Sequence, residues 1–430
     1  MAQKKPPLLS RTLVVLLFSM ILANIGGAMY GPLLPLYVQQ LGADVSQVGL
    51  FFTLSMIAPL LFQILGGWIS DSIGRVRAMA LGSLAGLVGY VLFVVSPSWG
   101  WLLLAMVGIS MASSFVGPSF QALIAEESAE HNRGKVYGIT QGAFQVVGVI
   151  GAPLGGLIAD KYGFRVMFMV ACGLYFLATL LRLLMARKIR QDVKAPSAAA
   201  PSFAGLKTSL LSIVAMLTAG GVITWIFISD GIGDFSSTTI NNLVPLYINN
   251  LMGMSKTQLG IMGAVASIAT MAFITLAGAL SDKRGERVGI VLGYFLLAAS
   301  ILVMISVRTF YGFIFAWFLL GVGQAMIGPA YSSLISKVVP EKLRGTFFGL
   351  FSTSLGVISL PAPYIGAMLW EKFSPRTPFF VPVVALFIII PIIWFKFKLP
   401  ANTGTPGPTQ PDDSPVTSLP VPSPADIPSK

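Results

Sequence analysis

The sequence predicts an all-α polytopic membrane protein, with twelve transmembrane helices in two pseudo-symmetric six-helix bundles. Three observations carry this. Of 430 residues, 55% are hydrophobic and only 10% charged, and the mean hydropathy is +0.81; a soluble domain carries about 25% charge. Apolar runs long enough to span a hydrocarbon core, which takes about 20 residues, recur along the chain. The chain also repeats itself. The stretch Gly67-Trp68-Ile69-Ser70-Asp71-Ser72-Ile73-Gly74-Arg75-Val76-Arg77 has a second version from Gly278 to Arg287, with Asp71 and Asp282 211 residues apart. Gly117-Pro118 and Gly328-Pro329, Arg133-Gly134 and Arg344-Gly345, and Arg165 and Arg376 keep that offset. Internal repetition of this kind sets the architecture before any single residue is read.

In chain order, the apolar segments of the first half fall at 12–37, 48–69, 78–96, 100–124, 136–159 and 165–185. Lys4-Lys5-Pro6-Pro7 ahead of Leu13 imitates a signal peptide. No small-residue cleavage site follows, however, and the run continues past Tyr30, so it is the first span. The second half gives 208–247, 258–280, 288–307, 310–335, 346–370 and 377–395. The first of these is too long for one straight crossing, since 40 residues of helix reach about 60 Å. Two registers are open. Hydropathy alone puts a span at Leu210–Ile228 and leaves an outer loop. The repeat instead matches Leu33-Leu34-Pro35-Leu36-Tyr37 to Leu243-Val244-Pro245-Leu246-Tyr247 and puts the span at about 222–247, with Gly231 and Gly233 permitting a break. The domain reading is a cytoplasmic segment 1–11, a bundle 12–185, a cytoplasmic linker 186–206, a bundle 207–398, and a Pro-rich cytoplasmic tail 399–430 expected to be disordered.

The charges orient the chain. Of 28 Lys and Arg, six fall outside (Lys161, Arg165, Lys256, Arg308, Lys372 and Arg376) and the remaining 22, Arg182 among them, fall inside. The positive-inside rule then places both termini in the cytoplasm of a cell inner membrane. It also accounts for the net charge of +12 without any nucleic-acid partner. The single cysteine, Cys172, excludes an intrachain disulfide and is read as a small buried hydrophobe.

Two kinds of motif carry chemistry. Asp71 and Asp282 each end an apolar run, with Gly67 and Gly74, or Gly278 and Gly285, around them and Arg75 and Arg77, or Arg287, behind. Glycines allow close helix approach, and the carboxylates can accept from helix N-termini or pair with basic residues. The expectation is a conformational switch at the inner mouth, joined by Arg133 and Arg344. The fifth span reads Gly148-Val149-Ile150-Gly151-Ala152-Pro153-Leu154-Gly155-Gly156. Small residues pack closely there and Pro153 removes a helix hydrogen bond, which suits a hinge between two rocking halves.

These motifs resemble the major facilitator superfamily, and within it the proton-linked drug-exporter-like group, over about residues 10–398. The inner-loop signature matches Gly67, Asp71, Gly74, Arg75 and Arg77, and again Gly278, Asp282, Gly285 and Arg287, with Glu286 in the place of Val76. The exporter signature of the fifth span resembles Gly151–Gly156, with Pro153 one place late. The resemblance implies an inward/outward switch at the loop, a central cavity, and an embedded arginine early in the fourth span. At the expected positions stand Met106 and Ser110, and in the twin half Trp317 and Gly321.

Another group must then carry any proton. An ionisable residue at membrane depth is costly and functional by default. In the repeat register Asp234 lies mid-membrane with Asp230 one turn away; in the other register both sit outside. Further cavity candidates are Asn24, Tyr30, Gln121, Gln145, Trp225, Asn241, Gln324 and Tyr331. No phosphate-binding Gly-rich loop, HExxH, cysteine pair or nucleophile–base–acid set occurs. The sequence therefore predicts a monomeric secondary transporter without cofactor or metal. Its partners are a small organic substrate, the lipid bilayer and, as candidate coupling ion, protons. The direction is read as efflux; import or uniport of a metabolite, or a transport-inactive sensor, are the alternatives.

Overall fold

The structure is a computed structural model that describes residues 9–128, 132–188, 221–338 and 344–397. Residues 189–206 of the predicted linker and the predicted tail 399–430 lie outside them. Every regular element among the described residues is helical. The first half holds α1 (Arg11–Tyr30), α2 (Leu34–Gln40), α3 (Val45–Ser55), α4 (Ile57–Ile73), α5 (Arg75–Val95), α6 (Trp99–Glu127) and α7 (Arg133–Lys188). The second holds α8 (Gly221–Asn241), α9 (Lys256–Arg284), α10 (Glu286–Ser306), α11 (Phe310–Val338), α12 (Arg344–Ser359), α13 (Ala362–Lys372) and α14 (Thr377–Lys396).

Among the described residues, ten helical stretches are long and apolar enough to cross a membrane. One of them, α7, contains Gly163 at φ 84°, where the chain turns between the predicted fifth and sixth spans. The more polar α8 occupies the place of the seventh.

The repeat is written into the helix ends. Asp44 caps α3 by accepting from Gln47 N at 2.7 Å, while Gln47 Oε1 accepts from Asp44 N at 3.0 Å. Ser255 and Gln258, 211 residues on, form the same reciprocal pair at the start of α9. Such caps satisfy backbone donors that a helix start leaves unpaired. Gly74 and Gly285 stop α4 and α9 at φ 90° and 89°, a left-handed conformation costly to a residue with a Cβ.

The seventh span follows the repeat. α8 runs unbroken through Asp230 and Asp234 to Asn241, and the chain then turns into Val244–Leu246. The first span breaks likewise at Gly31–Leu33 before α2. Pro35 and Pro245 sit just past the two breaks, where the missing N–H is tolerated.

One packed cluster runs through both halves and each half has a further one of its own, and equivalent rings meet in both. Tyr37 packs on Phe168 at 4.8 Å and Tyr247 on Phe379 at 5.0 Å. Tyr37 Oη also donates to Phe93 O at 2.9 Å, whereas Tyr247 Oη has no partner among the described residues.

Candidate functional site

At the ends carrying the repeated loops, each half is clamped to itself. Arg75 follows Gly74 at the start of α5. Its guanidinium pairs with Asp71 one turn back, reaches Ser70 Oγ at 3.0 Å, and donates from Nε to Glu126 Oε1 at 3.0 Å. The sequence expectation that Asp71 pairs with a basic residue therefore takes a local form. In the second half the charges are exchanged. Glu286, 5% exposed, accepts from the Ser333 hydroxyl at 2.8 Å and pairs with Lys337.

This corrects the sequence alignment, which set Glu286 against Val76. Gly285 and Gly74 share one conformation, so Glu286 takes the seat of Arg75, and Lys337 the seat of Glu126. Asp282 is exposed and makes no ion pair with a described residue. Arg287 donates to Trp394 O at 3.0 Å and lies over the Trp394 ring at 4.7 Å; Arg77 is exposed. The side chains of Arg133 and Arg344 and the surroundings of Gly67 lie outside the described residues.

At the opposite ends the halves are bound together. The Asp160 carboxylate, at the turn that follows the predicted fifth span, caps α9 of the other half. It accepts from Lys256 N at 3.1 Å, Thr257 N at 2.7 Å and Thr257 Oγ1 at 2.6 Å. Ser46 N donates to Glu371 at 2.9 Å, and Asn250 Nδ2 to Gln39 at 2.8 Å.

The glycine pattern of α7 makes this seam possible. A Cβ on Gly155 would lie 2.1 Å from Met29 O in α1, and one on Gly156 would lie 2.3 Å from Lys256 O across the seam. Gly151 meets Ala28, and Gly148 meets Ser267. Pro153 lies beside Gly260, so neighbouring positions of one helix serve two different partners.

Between the ends lie cavities. The largest described, about 660 Å³, belongs to the second half and is lined by Asp230, Asp234, Asn241, Gln324 and Tyr331, with Trp317 on its apolar wall. Asp230 faces the Tyr294 and Tyr331 hydroxyls; Tyr331 Oη stands short of a well-formed hydrogen bond to any atom of the described residues. Asp234 accepts from the Ser359 hydroxyl at 2.5 Å. A second cavity, about 550 Å³, is lined by Asn24, Gln121, Phe144 and Gly148 of the first half and by Gly263 and Ser267 of α9. A third, about 270 Å³, adjoins it and is lined by Tyr30, Tyr90, Tyr175 and Arg182.

Two candidates fall elsewhere. Gln145 is half-buried and lines none of these cavities, because its neighbours Phe144 and Gly148 take the inward face. Trp225 lies under the Lys396 ammonium at 5.0 Å.

Arg182 corrects the charge assignment. The sequence counted it at the inner surface, but the structure buries it to 1% exposure. It lies among α1, α5 and α7, donating to Ser19 Oγ at 3.1 Å and Ser83 Oγ at 2.7 Å. The available signal was its flanks: leucines stand on both sides, Leu180-Leu181-Arg182-Leu183-Leu184, well before the basic run that begins at Arg187.

Two helical halves built on one repeat, each with a polar cavity and joined along a seam at one end, define a multi-pass membrane transporter rather than an enzyme. The Major Facilitator Superfamily model matches residues 16–233 and 226–424. The chain belongs to that superfamily. It is 26% identical over 372 residues to a multi-drug resistance efflux pump PmrA homolog of Lactococcus lactis subsp. lactis, covering 84% of this chain and 88% of that one. It is 25% identical to multidrug resistance protein MdtG of Enterobacter lignolyticus, over 90% and 92%. Among solved structures, its fold resembles a POT family transporter in complex with 5-aminolevulinic acid, with TM-score 0.74, 16% identity and 90% and 96% coverage. It also resembles a bacterial homologue of the iron transporter ferroportin in an inward-facing state, with TM-score 0.71, 14% identity and 90% and 99% coverage.

Proposed function

We propose that the protein exports small amphipathic organic compounds across the cytoplasmic membrane by alternating access, driven by protons. Both termini are then cytoplasmic, and the working unit is a monomer. One observation carries the reading: two carboxylates, Asp230 and Asp234, stand on successive turns of α8 in one cavity with no described cation beside them. Carboxylates at membrane depth mark proton and substrate paths. The sealed seam at Asp160 and Lys256 fits a state closed at that end. Efflux relatives of matching length support the outward direction.

The two aspartates divide the work differently from the sequence expectation, which favoured Asp234. Asp234 already has the Ser359 hydroxyl. Asp230 fronts two tyrosines that are each 8% exposed, and this wall withdraws water from its carboxylate.

The test uses proteoliposomes with an imposed pH gradient and a panel of cationic dyes. Wild type should accumulate dye on the acidified side. Asp230→Asn and Asp234→Asn should lose gradient-driven flux while retaining downhill exchange. Full gradient-driven flux in both variants would sink the coupling role.

A further inference from the structure

Arg182 is a cation without an anion. It is 1% exposed, and no described carboxylate pairs with it. Its contacts are all neutral: Ser19 Oγ, Ser83 Oγ, Ser19 O at 3.4 Å, Met20 Sδ at 3.1 Å and the Tyr175 hydroxyl. Removing an ion from water without a counter-ion is costly, even after relaxation. Such a guanidinium is poised to take a carboxylate, whose planar geometry matches its fork of donors.

The surroundings make a site. Arg182 lines the cavity of about 270 Å³ together with Asn24, Tyr90 and Tyr175. That cavity shares Met20, Asn24, Gly27 and Gly117 with the one of about 550 Å³ between the halves. Two of these shared residues are glycines. A Cβ at Gly117 would meet nothing within 4 Å, and one at Gly27 would meet only Tyr90 Oη at 3.9 Å. The passage from the larger cavity to Arg182 is therefore open because side chains are missing there. Tyr90 and Tyr175 stack on each other at 4.5 Å and put two aromatic rings into the lining of the smaller cavity.

We propose that this pocket is a carboxylate subsite, in which Arg182 binds the anionic group of an organic acid whose apolar or aromatic body rests against Tyr90 and Tyr175. The proposal extends the transport reading, because it makes the pocket a branch of the substrate cavity, but binding can be measured without transport.

The experiment uses the full chain, purified in detergent in a buffer free of carboxylates and halides, and follows its melting temperature. The probes are benzoate, benzamide and chloride. A ligand that binds only the folded protein raises the melting temperature saturably. Benzoate should do so, whereas benzamide, of the same shape without the charge, should not. Arg182→Gln should weaken benzoate by at least about tenfold, the loss expected for a charge-assisted hydrogen bond. Gly117→Val leaves Arg182 in place and fills the passage, so it should weaken benzoate as well; it keeps the test decisive if Arg182→Gln does not fold. No benzoate-specific shift in wild type, or an unchanged shift in Gly117→Val or in folded Arg182→Gln, overturns the proposal. A chloride shift equal to that of benzoate, with no further gain when benzoate is added, also overturns it, because the pocket is then an inorganic halide site. Failure of export shows separately, as missing gradient-driven flux of a carboxylate-free cationic dye.

Discussion

The two halves share one framework and carry opposite charges on it. Behind the loop glycine, the first half places Arg75 against Glu126, and the second places Glu286 against Lys337 at the equivalent seats. Deeper in, the first half buries Arg182 against Met20 of α1. In the second half the proline match at 35 and 245 puts Asp230 in the seat of Met20, and Ile393 takes the seat of Arg182. Gly82 packs on Val116 and Gly293 on Ile327, which confirms that the third and fourth spans keep the 211 offset. Duplication thus preserved close packing and the turn glycines, where sterics leave little choice. It left free the sign of each buried charge, because a clamp works with either polarity.

The largest expected effect tests whether the deep seats differ in role. Asp230→Asn should reduce pH-gradient-driven transport to background, while Ser83→Ala, which removes a neutral acceptor from Arg182, should leave most of it. Equal losses would mean that both seats are merely structural.

Next comes the seam. Gly155 and Gly156 are neighbours in α7, yet one faces α1 of its own half and the other faces α9 across the seam. Overpacking costs about 1–3 kcal/mol. Gly155→Ala should spend that cost on folding, lowering the melting temperature. Gly156→Ala should spend it on the seam, shifting the protein toward the outward-open state. Labels at Tyr162→Cys and Phe373→Cys in a Cys172→Ala background report the distance across that side; a Gly156→Ala protein with an unchanged distance distribution would remove the seam from the switch.

The inner clamps should differ in strength. Glu286 has a side-chain exposure of 6% and Arg75 one of 23%. Glu286→Ala should cost about 1–2 kcal/mol, and Arg75→Ala less than about 1 kcal/mol, since solvent screens it. The exchange Glu286→Lys with Lys337→Glu should recover part of the loss in a double-mutant cycle on the melting temperature. No recovery would show that the clamp depends on more than its charges.

Smallest is Asp160→Asn. The amide oxygen still accepts from Thr257, while the acceptor for Lys256 N and the charge opposite Lys256 and the helix start are lost. That is worth about 0.5–1 kcal/mol, visible as a modest widening across the same label pair.

The candidate site was only partly legible in the sequence. Asp230 and Asp234 were found because the repeat register carried them into the membrane against hydropathy, and Asn24, Gln121, Gln324 and Tyr331 line cavities as expected. Gln145 and Trp225 line none of the three cavities described, because a polar or aromatic residue one position off the inward face of a helix points elsewhere. Arg182 was missed for a related reason. Near the inner end of a span an arginine reads as a surface charge, and only the packing of α1 and α5 over it decides otherwise.

By itself the sequence determined the membrane-spanning helical class, the duplication and the repeat register of the seventh span, since these depend on composition, period and local backbone chemistry; the break it allowed at Gly231 and Gly233 does not occur, because α8 runs through both. The tertiary structure decided which charges meet. Arg75 and Glu126 lie 51 residues apart, Ser19 and Arg182 163, and Asp160 and Thr257 97. Such pairs exist only once helices distant in sequence have packed, and the face each helix turns inward is set by all its neighbours together.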